Sequence, residues 1–253
     1  MMKVGFQTIS WGRRLKDYGR PMLHAIRDAG YEGVELMQHP NEFGSAEKLY
    51  RNLRENGLKL LGLTGGSIRE RANFIGELAE IETMAVVRED AKKIIRHQPD
   101  CPYIYVDTWD AREIQLMPPG VVLALHPHMF KPVQTAQEAE KLLREHQDVR
   151  FLPDTAHLTI AGEDVVELLK RNMSRIVGVH LKDWASEFAR SYHFYSRGFG
   201  VQFGYGDVKL SEMIEFLKSK RYNGWIVVEQ DVADDPLEAA KNCREWLRSK
   251  HGI

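Results

Sequence analysis

Residues 149–183 read VRFLPDTAHLTIAGEDVVELLKRNMSRIVGVHLKD, and this stretch is the strongest guide to the fold. It contains two short apolar runs, VRFLP and RIVGV, separated by a segment with the apolar spacing of a helix. A crossover of this kind joins parallel strands, because parallel neighbours cannot be linked by a tight turn. The two runs end in Asp154 and His180. The stretch therefore predicts parallel strands whose ends carry side chains capable of chemistry.

The same alternation of apolar run and amphipathic segment recurs along the chain and gives eight strand candidates. They begin at Val4, Gly33, Leu58, Tyr103, Val121, Val149, Arg175 and Gly224. Eight parallel strands and their crossovers are typical of an α/β (β/α)8 TIM barrel, which needs about 250 residues. The chain has 253 residues and no Gly/Ser linker. We therefore predict one barrel domain over residues 1–253.

Local signals refine this prediction at three connections. Thr135 and Ser211 are candidate N-caps for the helices that follow them, since a side-chain oxygen there can accept a free backbone N–H. The connection WDAREIQLMPPG at residues 109–120 is too short for a full crossover helix and contains Pro118, Pro119 and Gly120. We expect a degenerate or missing fourth helix there.

Composition limits the classes of partner. The formal net charge is −1 without a basic tract, so we expect no nucleic acid to bind. Cys101 and Cys243 are far apart, which argues against a disulfide scaffold or a thiolate metal site. The N-terminus shows neither a signal peptide nor a membrane-length run. We therefore expect a cytoplasmic protein with a small-molecule ligand and no membrane partner; the sequence allows a homo-oligomer without specifying one.

Four consecutive strand candidates end in a residue that can bind a metal: His126, Asp154, His180 and Glu229. The C-terminal ends of barrel strands meet on one face, so these side chains can converge on one ion. Two imidazoles and two carboxylates suit Mn²⁺, Co²⁺, Fe²⁺ or Zn²⁺ better than Ca²⁺. A single strand-end carboxylate is often only a helix cap or an ion-pair partner. The combination of four predicts one divalent metal site.

Several segments carry a family resemblance: GYEGVEL, LALHPHM, PDTAHLTIAG, VHLKD, FGYGDVKL and YNGWIVVEQD. They resemble the xylose isomerase-like barrel superfamily of sugar isomerases, epimerases and dehydratases, and within it the inosose dehydratases most closely. The second half of the chain carries the specific part. The resemblance implies one metal ligand from each of the fifth to eighth strands, which again gives His126, Asp154, His180 and Glu229.

The chain departs from the epimerase branch of that superfamily at three positions. His126 stands where that branch has a glutamate that also acts as acid or base, Ala156 where a glycine is usual, and Tyr205 where a glutamate is usual. The His126 replacement argues against epimerisation by two glutamates. A histidine-rich stretch like that at 126–129 resembles the inosose dehydratases instead.

Further site candidates surround the predicted ligands. For catalysis we consider Glu229 as a base and Lys182 or His128 as a proton donor. For substrate binding we consider Glu35, His157 and Arg197. Each has a simpler alternative: a loop histidine bonded to backbone at His128, a surface ion pair at Lys182 and an ion pair at the bottom of the barrel at Glu35.

These features predict a metal-dependent enzyme that acts on a sugar or cyclitol through an enediolate intermediate. We favour an inosose dehydratase-like lyase, with a sugar isomerase or epimerase as the alternative. A non-catalytic sugar-binding barrel is a third hypothesis. An abasic-site endonuclease of the same fold is disfavoured, because the third and fourth strands end in LTGGS and YVDTW, without the additional histidines that such enzymes need.

Overall fold

The computed structural model describes residues 2–12, 15–89, 103–106, 122–188 and 198–253. Eight short strands occur in these ranges, and each falls within or beside one of the apolar runs found in the sequence. They are β1 (Lys3–Gln7), β2 (Gly33–Leu36), β3 (Lys59–Leu63), β4 (Tyr103–Val106), β5 (Val122–Leu125), β6 (Arg150–Phe151), β7 (Gly178–Leu181) and β8 (Trp225–Val228). The predicted number and order of strands are confirmed.

Eight α-helices are found in the described ranges, and most of them lie between consecutive strands. They are α1 (Leu15–Ala29), α2 (Ala46–Asn56), α3 (Ile68–Glu89), α4 (Ala136–Glu145), α5 (Thr155–Ile160), α6 (Val165–Asn172), α7 (Leu210–Ser219) and α8 (Pro236–His251). The short helix α5 is an addition to the regular barrel pattern, since it comes directly after β6 and before the crossover helix α6.

All strand pairs are parallel, in the order β6-β5-β4-β3-β2-β1-β8-β7. The two end strands meet through parallel bridges between Phe151 and Ile176 and between Asp154 and His180. This contact closes the sheet into a barrel. The (β/α)8 fold predicted from the sequence is thereby confirmed.

The barrel interior explains why the predicted ligands face inward. Leu61, Ala124, Leu152 and Val227 form an apolar cluster inside the barrel. Side chains alternate along a strand, so the residue two positions further on points to the same side. His126, Asp154 and Glu229 come two positions after Ala124, Leu152 and Val227, so they point to the same side. The interior cluster therefore forms a floor beneath the candidate site.

The helices begin and end largely where local chemistry predicts. Thr135 caps α4 through a capping box with Glu138, which confirms that N-cap. The prediction for Ser211 is wrong, because α7 begins at Leu210 with Lys209 at the N-cap. The Ser211 hydroxyl instead contacts His251 Nε2 at 3.1 Å. The predicted degenerate fourth helix concerns residues 109–120, which lie outside the described residues.

None of the helices in the described ranges combines the length and the hydropathy needed to span a bilayer.

Candidate metal centre

His126 and Asp154 occupy neighbouring strand ends, β5 and β6, and both are almost fully buried. Asp154 is also the N-cap of α5, where its Oδ1 accepts the backbone N–H of His157 at 2.8 Å. The cap therefore uses one oxygen, which leaves Oδ2 facing the barrel interior. Oδ2 lies 3.9 Å from His126 Nε2 and has no hydrogen-bond partner in the described part of the chain.

His180 and Glu229 complete the group from β7 and β8. His180 Nδ1 lies 4.0 Å from Asp154 Oδ2 and 2.5 Å from Glu229 Oε2. Ligand atoms of Asp154, His180 and Glu229 all lie within 4.8 Å of one another, and so do those of His126, Asp154 and His157. The two groups share Asp154, which brings the four predicted ligands together with His157.

The donor set fits a divalent ion. Two ligands of one ion, each about 2.1 Å from it, can be at most about 4.2 Å apart. The contacts of Asp154 Oδ2 with both imidazoles fall within this limit and are too long for hydrogen bonds. Burying an ionised carboxylate oxygen without a partner is costly, and a bound cation would remove that cost. These residues could therefore hold a metal.

Electrostatic effects inside the barrel favour neutral His126 and charged His180. Burial, reinforced by His180, lowers the pKa of His126 well below its usual value. Burial also opposes the charged form of His180, yet Glu35 and Glu229 together raise its pKa well above the usual value. Burial raises the pKa of Asp154 to about 6, against the opposing charge of Lys182.

Lys182 is buried directly beside the group. Its Nζ lies 2.8 Å from Glu229 Oε1 and 2.7 Å from Asp231 Oδ1. It also lies 4.3 Å from the ring centroid of Phe199, which makes a cation–π contact. Burial disfavours the ammonium, but Asp231 and Glu229 outweigh it and raise the pKa of Lys182 above its usual value. Lys182 is therefore a fixed positive charge.

The charge of Lys182 also acts on its two carboxylate neighbours. Burial works to raise the pKa of Glu229, but Lys182 and His180 lower it well below the usual value, so Glu229 is a carboxylate at neutral pH. Burial raises the pKa of Asp231 to about 7 despite the attraction of Lys182. We did not identify Asp231 from the sequence, although its position two residues after Glu229 was the available signal.

His157 and His128 stack at the mouth of the barrel, with ring centroids 3.8 Å apart. His157 is almost fully buried, and neither of its ring nitrogens has a hydrogen-bond partner within the described ranges. Burial lowers the pKa of His157 well below its usual value. His128 Nδ1 lies 2.7 Å from the carbonyl oxygen of Met129. A neutral imidazole with open nitrogens suits contact with a ligand.

The other predicted residues fall in different places. Glu35 is fully buried and its Oε2 lies 3.0 Å from His180 Nε2, so it touches a candidate ligand. The residue after Lys182, Asp183, is not among the predicted site residues and accepts backbone N–H groups of Trp184, Gly204, Gly206 and Val208. Arg197, predicted to bind substrate, lies outside the described residues.

Comparison with known proteins supports the family resemblance. A family model described as "Xylose isomerase-like TIM barrel" matches residues 110–250. An inosose dehydratase of Mesomycoplasma hyopneumoniae is 38% identical over 144 residues, which cover 51% of this chain and 48% of that protein. An inosose dehydratase of Clostridium perfringens is 35% identical over 147 residues, with coverage of 53% and 50%. The chain thus spans about half the length of the curated relatives it matches.

Solved structures share the fold over nearly the whole chain. A probable 3-DHS dehydratase involved in petrobactin synthesis from Bacillus anthracis has a TM-score of 0.70 at 17% identity, covering 99% of this chain and 100% of that one. A 3-keto-D-glucoside 4-epimerase from E. coli has a TM-score of 0.65 at 18% identity, with coverage of 98% and 100%. At these identities the likeness shows the barrel fold alone. Because the family model matches residues 110–250, which are more than half of this chain, the chain belongs to the xylose isomerase-like TIM barrel family.

Proposed function

We propose that this protein is a metal-dependent, inosose dehydratase-like lyase built as one barrel domain over residues 1–253. The substrate is a sugar or cyclitol with a ketone group, which loses water through an enediolate intermediate. The observation that carries the proposal is the convergence of His126, Asp154, His180 and Glu229 above the barrel floor. The inosose dehydratase relatives provide the reaction type.

The four side chains would hold one divalent ion, Mn²⁺, Co²⁺, Fe²⁺ or Zn²⁺. Such an ion supplies Lewis acidity, which makes a proton next to a substrate carbonyl easier to remove. Of the chain's own groups, Glu229 is suited to accept that proton, since its lowered pKa keeps it ionised at neutral pH. Lys182 holds Glu229 in place through the 2.8 Å contact to Oε1.

The proton donor to the departing hydroxyl is better assigned to His128 than to Lys182. Lys182 lies between two carboxylates with a raised pKa, so it releases a proton reluctantly and serves as a fixed charge. His128 is only partly buried and stacks on His157 at the mouth. Its Nδ1 is engaged with the Met129 carbonyl, so proton exchange with a substrate falls to Nε2. His157 would bind a substrate hydroxyl.

Product analysis tests the reaction type. The metal-loaded protein is incubated with an inosose and, separately, with simple ketoses, and the products are followed by ultraviolet absorbance and chromatography. A new enone absorbance from the inosose supports the lyase. Clean interconversion of ketoses overturns it in favour of an isomerase or epimerase.

Metal content tests the site itself. We expect wild-type protein to bind about one divalent ion per chain, and Glu229→Gln and His180→Ala to lose it. Exposed residues of the same type provide matched controls: Glu212→Gln and His24→Ala should bind as wild type does. A wild-type protein that holds no metal after incubation with each candidate ion contradicts the proposal and favours a non-catalytic sugar-binding barrel.

A further inference from the structure

Glu35 makes a contact across the barrel interior. Its Oε2 lies 3.0 Å from Nε2 of His180, and both side chains have no exposed surface. Glu35 is on β2 and His180 is on β7, and β1 and β8 lie between these strands in the sheet order. The contact therefore joins two strands that share no ladder, through the middle of the barrel.

The backbone around Glu35 is irregular in a way that accommodates this contact. The β2–β3 ladder changes register between Val34 and Glu35, so that Glu35 lies opposite Gly62. Gly62 has no side chain to compete for space inside the barrel. Register irregularities of this kind often re-aim a side chain next to a functional site. The irregularity thus falls at a residue of β2 that contacts a candidate ligand.

The contact fixes which nitrogen of His180 faces the other ligands. A carboxylate can only accept, so the Glu35 contact requires a proton on Nε2. The charged, metal-free His180 carries a second proton on Nδ1, beside Glu229 Oε2, and this is the proton that a bound cation would displace. Nδ1 is the nitrogen next to Asp154 Oδ2 and Glu229 Oε2. A histidine binds a metal through an unprotonated nitrogen, and a hydrogen bond at the other nitrogen sets the tautomer and the ring orientation.

We propose that Glu35 is a positioning residue that holds His180 with Nε2 protonated and Nδ1 directed at the cation site. This role replaces the substrate contact expected from the sequence, because the buried carboxylate is engaged with His180 inside the barrel. The inference rests on the proposed function, since it assumes that a cation binds to Asp154, His180 and Glu229. It adds a residue from the first half of the chain to a site otherwise built from the second half.

The test combines metal affinity with a signature of the His180 proton. Mn²⁺ is titrated into wild type, Glu35→Gln, Glu35→Leu and the control Glu32→Gln, which alters an exposed carboxylate on the residue just before β2. We expect affinity to fall about 10- to 100-fold in Glu35→Leu, the usual range for loss of such a partner. The fall should be smaller in Glu35→Gln, whose amide oxygen can still accept from Nε2. Glu32→Gln should bind as wild type does.

Proton NMR of the metal-free proteins provides the second reading. A slowly exchanging His180 Nε2–H resonance should be present in wild type, weaker in Glu35→Gln and absent in Glu35→Leu, with His180→Ala used for its assignment. Circular dichroism confirms that each variant folds, and Glu35→Gln keeps the test valid if Glu35→Leu does not. If only Glu35→Gln folds, an unchanged Mn²⁺ affinity and an unchanged Nε2–H resonance in that variant overturn the proposal.

The outcomes separate this inference from the proposed function. If wild type binds Mn²⁺ and Glu35→Leu binds it within about threefold, the positioning role is overturned and the metal site stands. If wild type binds none of the candidate ions, both proposals fail together. A loss of affinity accompanied by loss of the Nε2–H resonance supports the positioning role.

Discussion

Lys182 shows how single residues determine the chemistry of this site. A buried ammonium is costly to desolvate, and here two carboxylates and an aromatic face compensate for that cost. The same arrangement keeps Glu229 ionised and therefore available as a ligand or base. The charge of Lys182 thus supports the site without needing to be released as a proton.

Removing this charge should destabilise the fold. In metal-free protein, Lys182→Met leaves the buried Glu229 and the partly buried Asp231 without their cation, and we expect a loss of about 3–5 kcal/mol in the free energy of unfolding. Urea unfolding measures it. The control Lys170→Met breaks an exposed pair with Glu167 and should cost less than about 1 kcal/mol. Equal effects of the two substitutions would show that Lys182 does not stabilise the buried carboxylates.

The pKa of Asp154 predicts the pH dependence of metal binding. Burial raises this pKa to about 6, and only the ionised carboxylate binds a cation. The proton on Asp154 should therefore lower the affinity by about tenfold per pH unit below pH 6. The raised pKa of His180 means that its proton must also leave, which adds about tenfold per pH unit over the whole range. The total dependence is therefore steeper below pH 6, where both protons must leave, than above it.

Calorimetric titration with Mn²⁺ between pH 5 and 8 checks this expectation. Asp154→Asn has no carboxyl proton to lose, so its affinity for Mn²⁺, although weaker, should not fall more steeply below pH 6. A wild-type affinity that falls no more steeply below pH 6 than above it would contradict the assignment of Asp154 as a ligand.

Sequence reasoning identified some residues of this site better than others. His126, Asp154, His180 and Glu229 could be predicted to lie together, because strand ends in a barrel meet on one face. The contact of Glu35 with His180 could not be predicted, because it depends on the register of β2 against β3, which are distant from His180 in the sequence. Register is set by the packing of whole strands, which the sequence pattern does not specify at single-residue level.

At the scale of elements, Asp183 organises the segment that follows β7. Its two carboxylate oxygens accept four backbone N–H groups, three of them from residues 204–208. Gly206 lies so close that an added Cβ would be 2.1 Å from Asp183 Oδ1. The backbone from Gly204 to Val208 is therefore held against the end of β7 by one side chain.

Asp183→Asn should loosen this segment. An amide has only one acceptor oxygen, and its NH₂ group would face backbone N–H groups, so we expect a loss of about 2–4 kcal/mol in the free energy of unfolding. Amide hydrogen exchange should accelerate at Gly204, Gly206 and Val208. The control Asp234→Asn changes an exposed carboxylate outside this segment and should leave those rates nearly unchanged. Equally slow exchange in both variants contradicts the role of Asp183.

Element boundaries were predicted well where a capping motif was complete. Thr135 and Glu138 form a reciprocal pair, which marks the start of α4 unambiguously. Ser211 lacks such a pair, and its hydroxyl contacts His251 of α8 instead. A lone serine near a helix start therefore identified the right helix but the wrong N-cap, because a tertiary contact used its hydroxyl.

At the scale of the whole molecule, ligand binding should stabilise the barrel, because the four candidate ligands come from four different strands. With free Mn²⁺ at 100 times its dissociation constant, the expected gain is about 2.7 kcal/mol. For a chain of this size that corresponds to a rise in Tm of about 5–10 °C. Differential scanning calorimetry with and without a chelator measures it. Glu229→Gln should show no such rise, and an equal rise in that variant would mean that the ion binds elsewhere.

The seam between β6 and β7 is where the circle of strands closes, and in the described residues it consists of isolated bridges rather than a continuous ladder. Asp154 stands on one side of that seam and His180 on the other. A cation bound by both residues would link β6 to β7 at the place where the barrel closes. Stripping the ion should then let water reach the Val177 and His180 amides, which bond across the seam, before it reaches those of β1 or β8.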